Sequence, residues 1–178
     1  MGHKVLVTGG VRSGKSFHAE TLLLGEPRVT YVAPGPAADD VADPEWAHRV
    51  GIHQARRPNH WSTVETTDLA GAIAAAEGAV LIDCLGTWLS ALLDEFDVWD
   101  AVREEWEPLV MERVSATVDA WSASTATLVA VTNEVGMGIV PEHRSGRIFR
   151  DLLGTVNQRV AAASDEVLLV VAGRTISL

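Results

Sequence analysis

Short apolar runs alternate with stretches of helical spacing along this chain. Val5-Leu6-Val7, bounded by glycine, reads as a strand buried on both faces. Ser16 to Leu24 reads as a helix, with Ala19, Leu22 and Leu23 on one side and Gly25 as its stop. Val29 to Ala33 is rich in β-formers and ends in a loop at Pro34-Gly35. Pro44 to Arg56 is polar, with Trp46, Val50 and His53 spaced roughly for one helical face. Trp61 to Thr66 alternates as an edge strand does, and Thr67 or Asp68 can cap a helix running through Leu69, Ile73 and Ala76 to Gly78. Ala79 to Ile82 is another buried strand, ending at Asp83. Trp99 to Trp121 has helical spacing, with Pro108 placed to kink or divide it. Leu128 to Val131 is a strand, and Gly146 to Ala163 is a helix with Phe149, Leu152, Val156 and Val160 facing inward. Val167 to Val171 is the last strand expected. This alternation predicts an α/β fold, a mostly parallel central sheet with helices on both faces. No internal repeat, low-complexity tract or linker divides residues 1–178, so a single domain is expected.

Composition narrows the class. The chain has 178 residues, 47% of them apolar, enough for a folded core. Its net charge of −10 argues against a general nucleic-acid binder, which needs a basic face, and against a polybasic membrane-surface protein. Cys84 is the one cysteine, so no internal disulfide forms, which fits a reducing compartment. The start, Met1-Gly2-His3-Lys4, lacks the layout of a secretory signal, and Leu6 does not suit myristoylation of Gly2. No apolar run reaches the ~20 residues of a membrane span; Asp83 interrupts the longest, Ala79 to Leu93. A soluble, cytoplasmic protein is expected.

The chemistry begins at Gly9-Gly10-Val11-Arg12-Ser13-Gly14-Lys15-Ser16, which matches G-x-x-x-x-G-K-[ST] in full. Glycines let the backbone wrap an anion and aim N–H groups at it, and the following helix adds its positive end. Lys15 suits the β- and γ-phosphates of ATP or GTP, and Ser16 suits Mg²⁺. The motif stands between a predicted strand and a predicted helix, the context it requires. A P-loop enzyme also needs an acid near the metal at the end of a neighbouring strand. Asp83 stands at such an end; the competing role for it is a cap for a helix starting near Thr87.

Four blocks carry a family resemblance: VLVTGGVRSGKSFHAE (Val5 to Glu20), LIDCLGTWLSALL (Leu81 to Leu93), VTNEVGMGIVP (Val131 to Pro141), and Phe149 to Val171 with FRD and NQRVAAASDEV. Together they resemble the bifunctional adenosylcobinamide kinase/adenosylcobinamide-phosphate guanylyltransferases of cobalamin biosynthesis, over essentially the whole chain. The resemblance implies a RecA-like P-loop fold, a homotrimer and two reactions. One phosphorylates the aminopropanol hydroxyl of adenosylcobinamide. The other moves GMP from GTP onto that phosphate through a guanylyl-histidine.

Six histidines compete for the nucleophile: His3, His18, His48, His53, His60 and His143. It must present a neutral imidazole to the α-phosphate from an element other than the P-loop helix. Arg49 to Pro58 resembles the family's R-I-x-x-H-x-x-x-R-P pattern, which carries the guanylylated histidine. Some members have two adjacent histidines there; this chain has Ile52 followed by His53, so the resemblance points to His53. It also implies nucleotide contacts from Gln54, Ala55 and Arg56, from Ala33-Pro34-Gly35, and from Glu65 of the Trp61-x-x-x-Glu65 pattern, whose carboxylate suits the donor edge of guanine. Arg56 and Arg57 supply local positive charge in an acidic chain, either to neutralise a triphosphate or simply as a solvated face. Met137 and Ile139 in the glycine-containing loop after Thr132 offer apolar surface to a corrin or a subunit, and the tryptophans suit core or interface. Two other readings remain: a small-alcohol kinase without guanylyl transfer, and a nucleotide switch, which the lack of an N-K-x-D motif disfavours.

Overall fold

The structure, a computed structural model, describes residues 2–35, 48, 51 and 57–178. Its first half runs β1 (Lys4–Gly9), α1 (Lys15–Leu22), β2 (Val29–Ala33), β3 (Ser62–Glu65), α2 (Leu69–Ala75) and β4 (Ala79–Asp83). Then follow α3 (Leu85–Glu95), α4 (Arg103–Ala123), β5 (Leu128–Asn133), α5 (Arg144–Ala162), β6 (Glu166–Val171) and β7 (Arg174–Ser177). The strands form one seven-stranded sheet in the order β3-β2-β4-β5-β1-β6-β7. Every pair is parallel except β6 with β7.

The apolar runs are continuous because the inner strands are covered on both faces. Leu6 of β1 joins Ile82, Trp88, Leu89, Val110, Trp121 and Leu153 in a core built with α2 to α5. Its neighbours Val5 and Val7 point the other way, into a second core with Ala19 of α1, Leu23 just after it, Tyr31, Leu81 and Val131. Helices on both faces are therefore found as expected. Trp61, Trp88, Trp106 and Trp121 are buried in place as core residues.

Several local expectations shift. Asp68 is the residue that caps α2, accepting from the Gly71 N–H at 3.0 Å. Pro108 does not divide its helix: α4 is continuous from Arg103 to Ala123. Trp99 and Val102 precede that helix. On α5 the buried face is Ile148, Leu152, Leu153, Val156 and Val160, with Phe149 only packed against its margin.

The sheet also gains a strand beyond the one expected to be last. Ala172 at φ 50° and Gly173 at φ 76° turn β6 back into β7. Two central residues with positive φ match the twist of a tight hairpin, which Asn-Gly or Asp-Gly usually signals. Ala-Gly lacks that signature, and β7 is exposed along its length, so no alternation betrays it.

Candidate active site

Because six strands run parallel, their C-terminal ends line one edge of the sheet, where open α/β sheets bind ligands. The register pairs Gly9 with both Asn133 and Val170, Asp83 with Val131, and Ala33 with Glu65. Gly9, Asp83 and the Ala33-Pro34-Gly35 turn thus share one edge, together with Glu65 at the outermost strand. Glu65 is exposed there.

The P-loop spans β1 and α1. Gly14 takes φ 95°, which its lack of a side chain permits, and Arg12 takes φ 57°. The His18 N–H closes the first helical turn on the Gly14 carbonyl at 2.9 Å. Lys15 is only 9% exposed. Its ammonium folds back over the loop and donates to the Gly10 carbonyl at 3.1 Å. Among the described residues, Ser13 Oγ is buried without a hydrogen-bond partner. The β6–β7 turn braces the loop from below, the Gly173 N–H donating to the Ser13 carbonyl at 2.8 Å. A β-carbon on Gly9 would stand 2.5 Å from the Val170 carbonyl oxygen and 2.7 Å from Ser13 Oγ. Gly9→Ala is therefore expected to displace the loop and weaken nucleotide binding by roughly tenfold, the scale of overpacking strain. Calorimetric titration with GTP checks this.

Asp83 lies one strand away from β1, across β5. Ser16 Oγ donates to its Oδ1 at 3.3 Å. The Tyr31 hydroxyl donates to its other oxygen, Oδ2, at 3.1 Å. The competing role for Asp83 is not what the structure has, since Cys84 is the residue that caps α3. Burial first, and then the Asp83 charge, push the Tyr31 phenol far above its ordinary value, so it remains a donor. The same two causes raise the Cys84 thiol, which keeps it protonated and unreactive. The Arg57 guanidinium lies 3.5 Å over the Tyr31 ring centroid. A tyrosine in an apolar strand reads as core, so the sequence carries no sign of this contact of Tyr31. Its reach to Asp83 depends on β2 and β4 pairing.

The β5 end is pinned by α5. Thr132 Oγ1 donates to Asn157 Oδ1 at 2.6 Å, and Asn157 Nδ2 donates to the Asn133 carbonyl at 3.0 Å. The following loop is held by Arg150, which donates to the Gly136 and Ile139 carbonyls at 2.8 and 2.9 Å. So restrained, the loop still presents Met137 at 82% and Ile139 at 94% exposure. Val11 of the P-loop is 76% exposed.

His53, Gln54, Ala55 and Arg56 lie outside the described residues. Of the other histidines, His3 is exposed beside Glu166, with Nε2 and Oε2 3.3 Å apart. His48, His60 and His143 are exposed, and His18 is half-buried on α1.

Ser16 Oγ and Asp83 Oδ1 form a pair of hard oxygen donors that fits Mg²⁺, an ion that takes few protein ligands and keeps waters and phosphates. No group of three or more histidine, cysteine or acidic side chains placed to hold a metal occurs among the described residues. Nor is any helix among them long and apolar enough to cross a membrane.

A glycine cradle between strand and helix, a lysine folded into it, and an acid one strand away define a P-loop nucleotide-binding protein. The backbone agrees. It superposes on a prototypical ATPase of the type III secretion system of pathogenic bacteria with a TM-score of 0.61 at 12% identity, covering 99% of this chain and 57% of that one. It also superposes on EscN, the assembled type III secretion ATPase of enteropathogenic Escherichia coli, with a TM-score of 0.56 at 12% identity, covering 96% of this chain and 43% of that one. Such distant likenesses concern the fold alone.

The family is closer at hand. The family model described as cobinamide kinase / cobinamide phosphate guanyltransferase matches residues 5–178, and the chain belongs to that family. The chain is 44% identical over 178 residues to the bifunctional adenosylcobalamin biosynthesis protein CobU of Salmonella typhimurium, covering 95% of this chain and 96% of the relative. The CobU of Escherichia coli is 43% identical over the same shares of both chains. CobP of Pseudomonas aeruginosa is 33% identical over 175 residues, 94% of this chain and 92% of the relative.

Proposed function

We propose that this chain phosphorylates adenosylcobinamide and then guanylylates the product, giving adenosyl-GDP-cobinamide and pyrophosphate. One observation carries the reading: the Lys15 cradle and the Ser16–Asp83 pair stand assembled on a chain that matches its family over residues 5–178.

In the kinase step the substrate hydroxyl oxygen attacks the γ-phosphorus of a nucleoside triphosphate and gives up its proton to solvent. The bond to the β,γ-bridging oxygen breaks, and the diphosphate leaves. Phosphoryl transfer demands positioning and charge neutralisation more than covalent help. The loop's backbone N–H groups and Lys15 hold the β- and γ-phosphates. Ser16 and Asp83 would hold Mg²⁺, which supplies further neutralisation of phosphate charge.

In the transferase step an imidazole nitrogen of His53 attacks the α-phosphorus of GTP and pyrophosphate departs. A phosphate oxygen of adenosylcobinamide phosphate then attacks the same phosphorus, the P–N bond breaks, and His53 is regenerated. Two displacements replace one difficult one. Gln54, Ala55 and Arg56, with Ala33-Pro34-Gly35 and Glu65, line the nucleotide in this reading, Arg56 neutralising charge and Glu65 accepting from guanine. A single domain carries both reactions in a cytoplasmic homotrimer, and the exposed Met137–Ile139 loop meets corrin or a neighbouring subunit.

Intact-mass measurement after mixing with GTP and Mg²⁺ tests the scheme. The expected result is one guanylyl group per chain, labile in acid and stable in base. Turnover to adenosyl-GDP-cobinamide without any such adduct would exclude the covalent route.

A further inference from the structure

The hydroxyl of Tyr31 is out of place for a residue whose only task is filling a core. Its side chain is 4% exposed and packs among Val5, Val7, Leu81 and Val131. Phenylalanine would fill the same space without a polar atom to desolvate. The hydroxyl instead ends on Asp83 Oδ2 at 3.1 Å, while Asp83 Oδ1 accepts from Ser16 at 3.3 Å. Each oxygen of one carboxylate is thus met by a hydroxyl from a different element, β2 on one side and α1 on the other. A hydroxyl on each oxygen restrains the rotation of the carboxylate more than the Ser16 contact does without it.

The ring of the same tyrosine reports elsewhere. Its face carries the Arg57 guanidinium at 3.5 Å. Arg57 in turn donates through Nη1 to Thr63 Oγ1 on β3 at 3.1 Å. A continuous path therefore runs from the edge strand through Arg57 and Tyr31 to Asp83 and Ser16.

We propose that Tyr31 is a positioning residue: its hydroxyl orients the Asp83 carboxylate for metal-bound triphosphate, and its ring makes that orientation depend on Arg57. This rests on Ser16 and Asp83 being the Mg²⁺ ligands. Its physical content is a difference. Tyr31 contributes to triphosphate binding when Mg²⁺ is present and contributes nothing when Mg²⁺ is chelated.

The test is calorimetric binding of a non-hydrolysable GTP analogue to the full chain, in saturating Mg²⁺ and in EDTA, together with thermal unfolding. The quantity read is the gain in affinity on adding Mg²⁺. Tyr31→Phe keeps the ring and is expected to cut that gain about tenfold, the scale of a hydrogen bond to a charged group. Affinity in EDTA should stay within twofold and the unfolding temperature within a few degrees. Arg57→Met should cut the gain about threefold in the native background and not at all in Tyr31→Phe, the mark of two residues acting in one path. A Tyr31→Phe gain within twofold of the native one would overturn the proposal. If that variant does not fold, Arg57→Met decides alone, and an unchanged gain overturns the coupling. Asp83→Asn separates the two readings. Loss of the gain there with no change in Tyr31→Phe removes only the role of Tyr31. A gain that survives Asp83→Asn removes the metal assignment itself.

Discussion

A His53→Ala protein is expected to acquire no covalent GMP when mixed with GTP and Mg²⁺, and its guanylyl transfer should fall at least about 10³-fold, as losses of a covalent nucleophile do. His48 and His60 are exposed, and His18 belongs to the P-loop helix itself, outside the separate element an in-line attack on the α-phosphorus calls for. The residue before His53 is Ile52, which has no nucleophilic atom, so rescue from that position is chemically closed. The kinase step should persist, because its attacking atom comes from the substrate. Intact-mass analysis reads the adduct, and separate assays of the two half-reactions read the split. Full labelling of His53→Ala would move the nucleophile elsewhere.

Lys15→Ala should strike both half-reactions together. Its side chain is buried in the loop, and its ammonium donates to the Gly10 carbonyl at 3.1 Å. A triphosphate offers that charge a far stronger partner. Removing a preorganised charge from a water-poor site costs about 10²- to 10³-fold in rate, or roughly 3 to 4 kcal/mol of barrier. Lys15→Arg should not restore the rate, since a planar fork cannot occupy the space of a compact ammonium. The fold should survive, because the carbonyl freed at Gly10 lies at a solvated loop. Steady-state kinetics of each step and a thermal melt check this. Both rates within tenfold of the native enzyme would show that Lys15 is not what holds the phosphates.

Some of the site was legible because its chemistry is local. The P-loop needs its glycines, lysine and serine within eight consecutive positions, and strand and helix flank it in sequence as in space. Asp83 is legible for a related reason, since a buried strand that stops at an acid is visible as a break in an apolar run. Tyr31, Asn157 and Gly173 gave no such sign. Each acts on a partner distant in sequence: Tyr31 on Asp83, Asn157 on Thr132 and Asn133, Gly173 on Ser13. Nothing in a tyrosine's neighbours along β2 tells which strand will lie beside it.

The amino-acid sequence by itself determined the fold class, the phosphate-binding loop and the family. Buried parallel strands and helical faces are written as periodicities, and phosphate chemistry tolerates few residue types at fixed spacing. Only the tertiary structure decided which strands adjoin. That order, with β5 between β1 and β4, brings Ser16, Asp83, Tyr31 and Arg57 within reach of one another and sets a hairpin turn beneath the loop. Strand order is a property of long-range packing, whose energy is shared over two cores and is carried by no single segment.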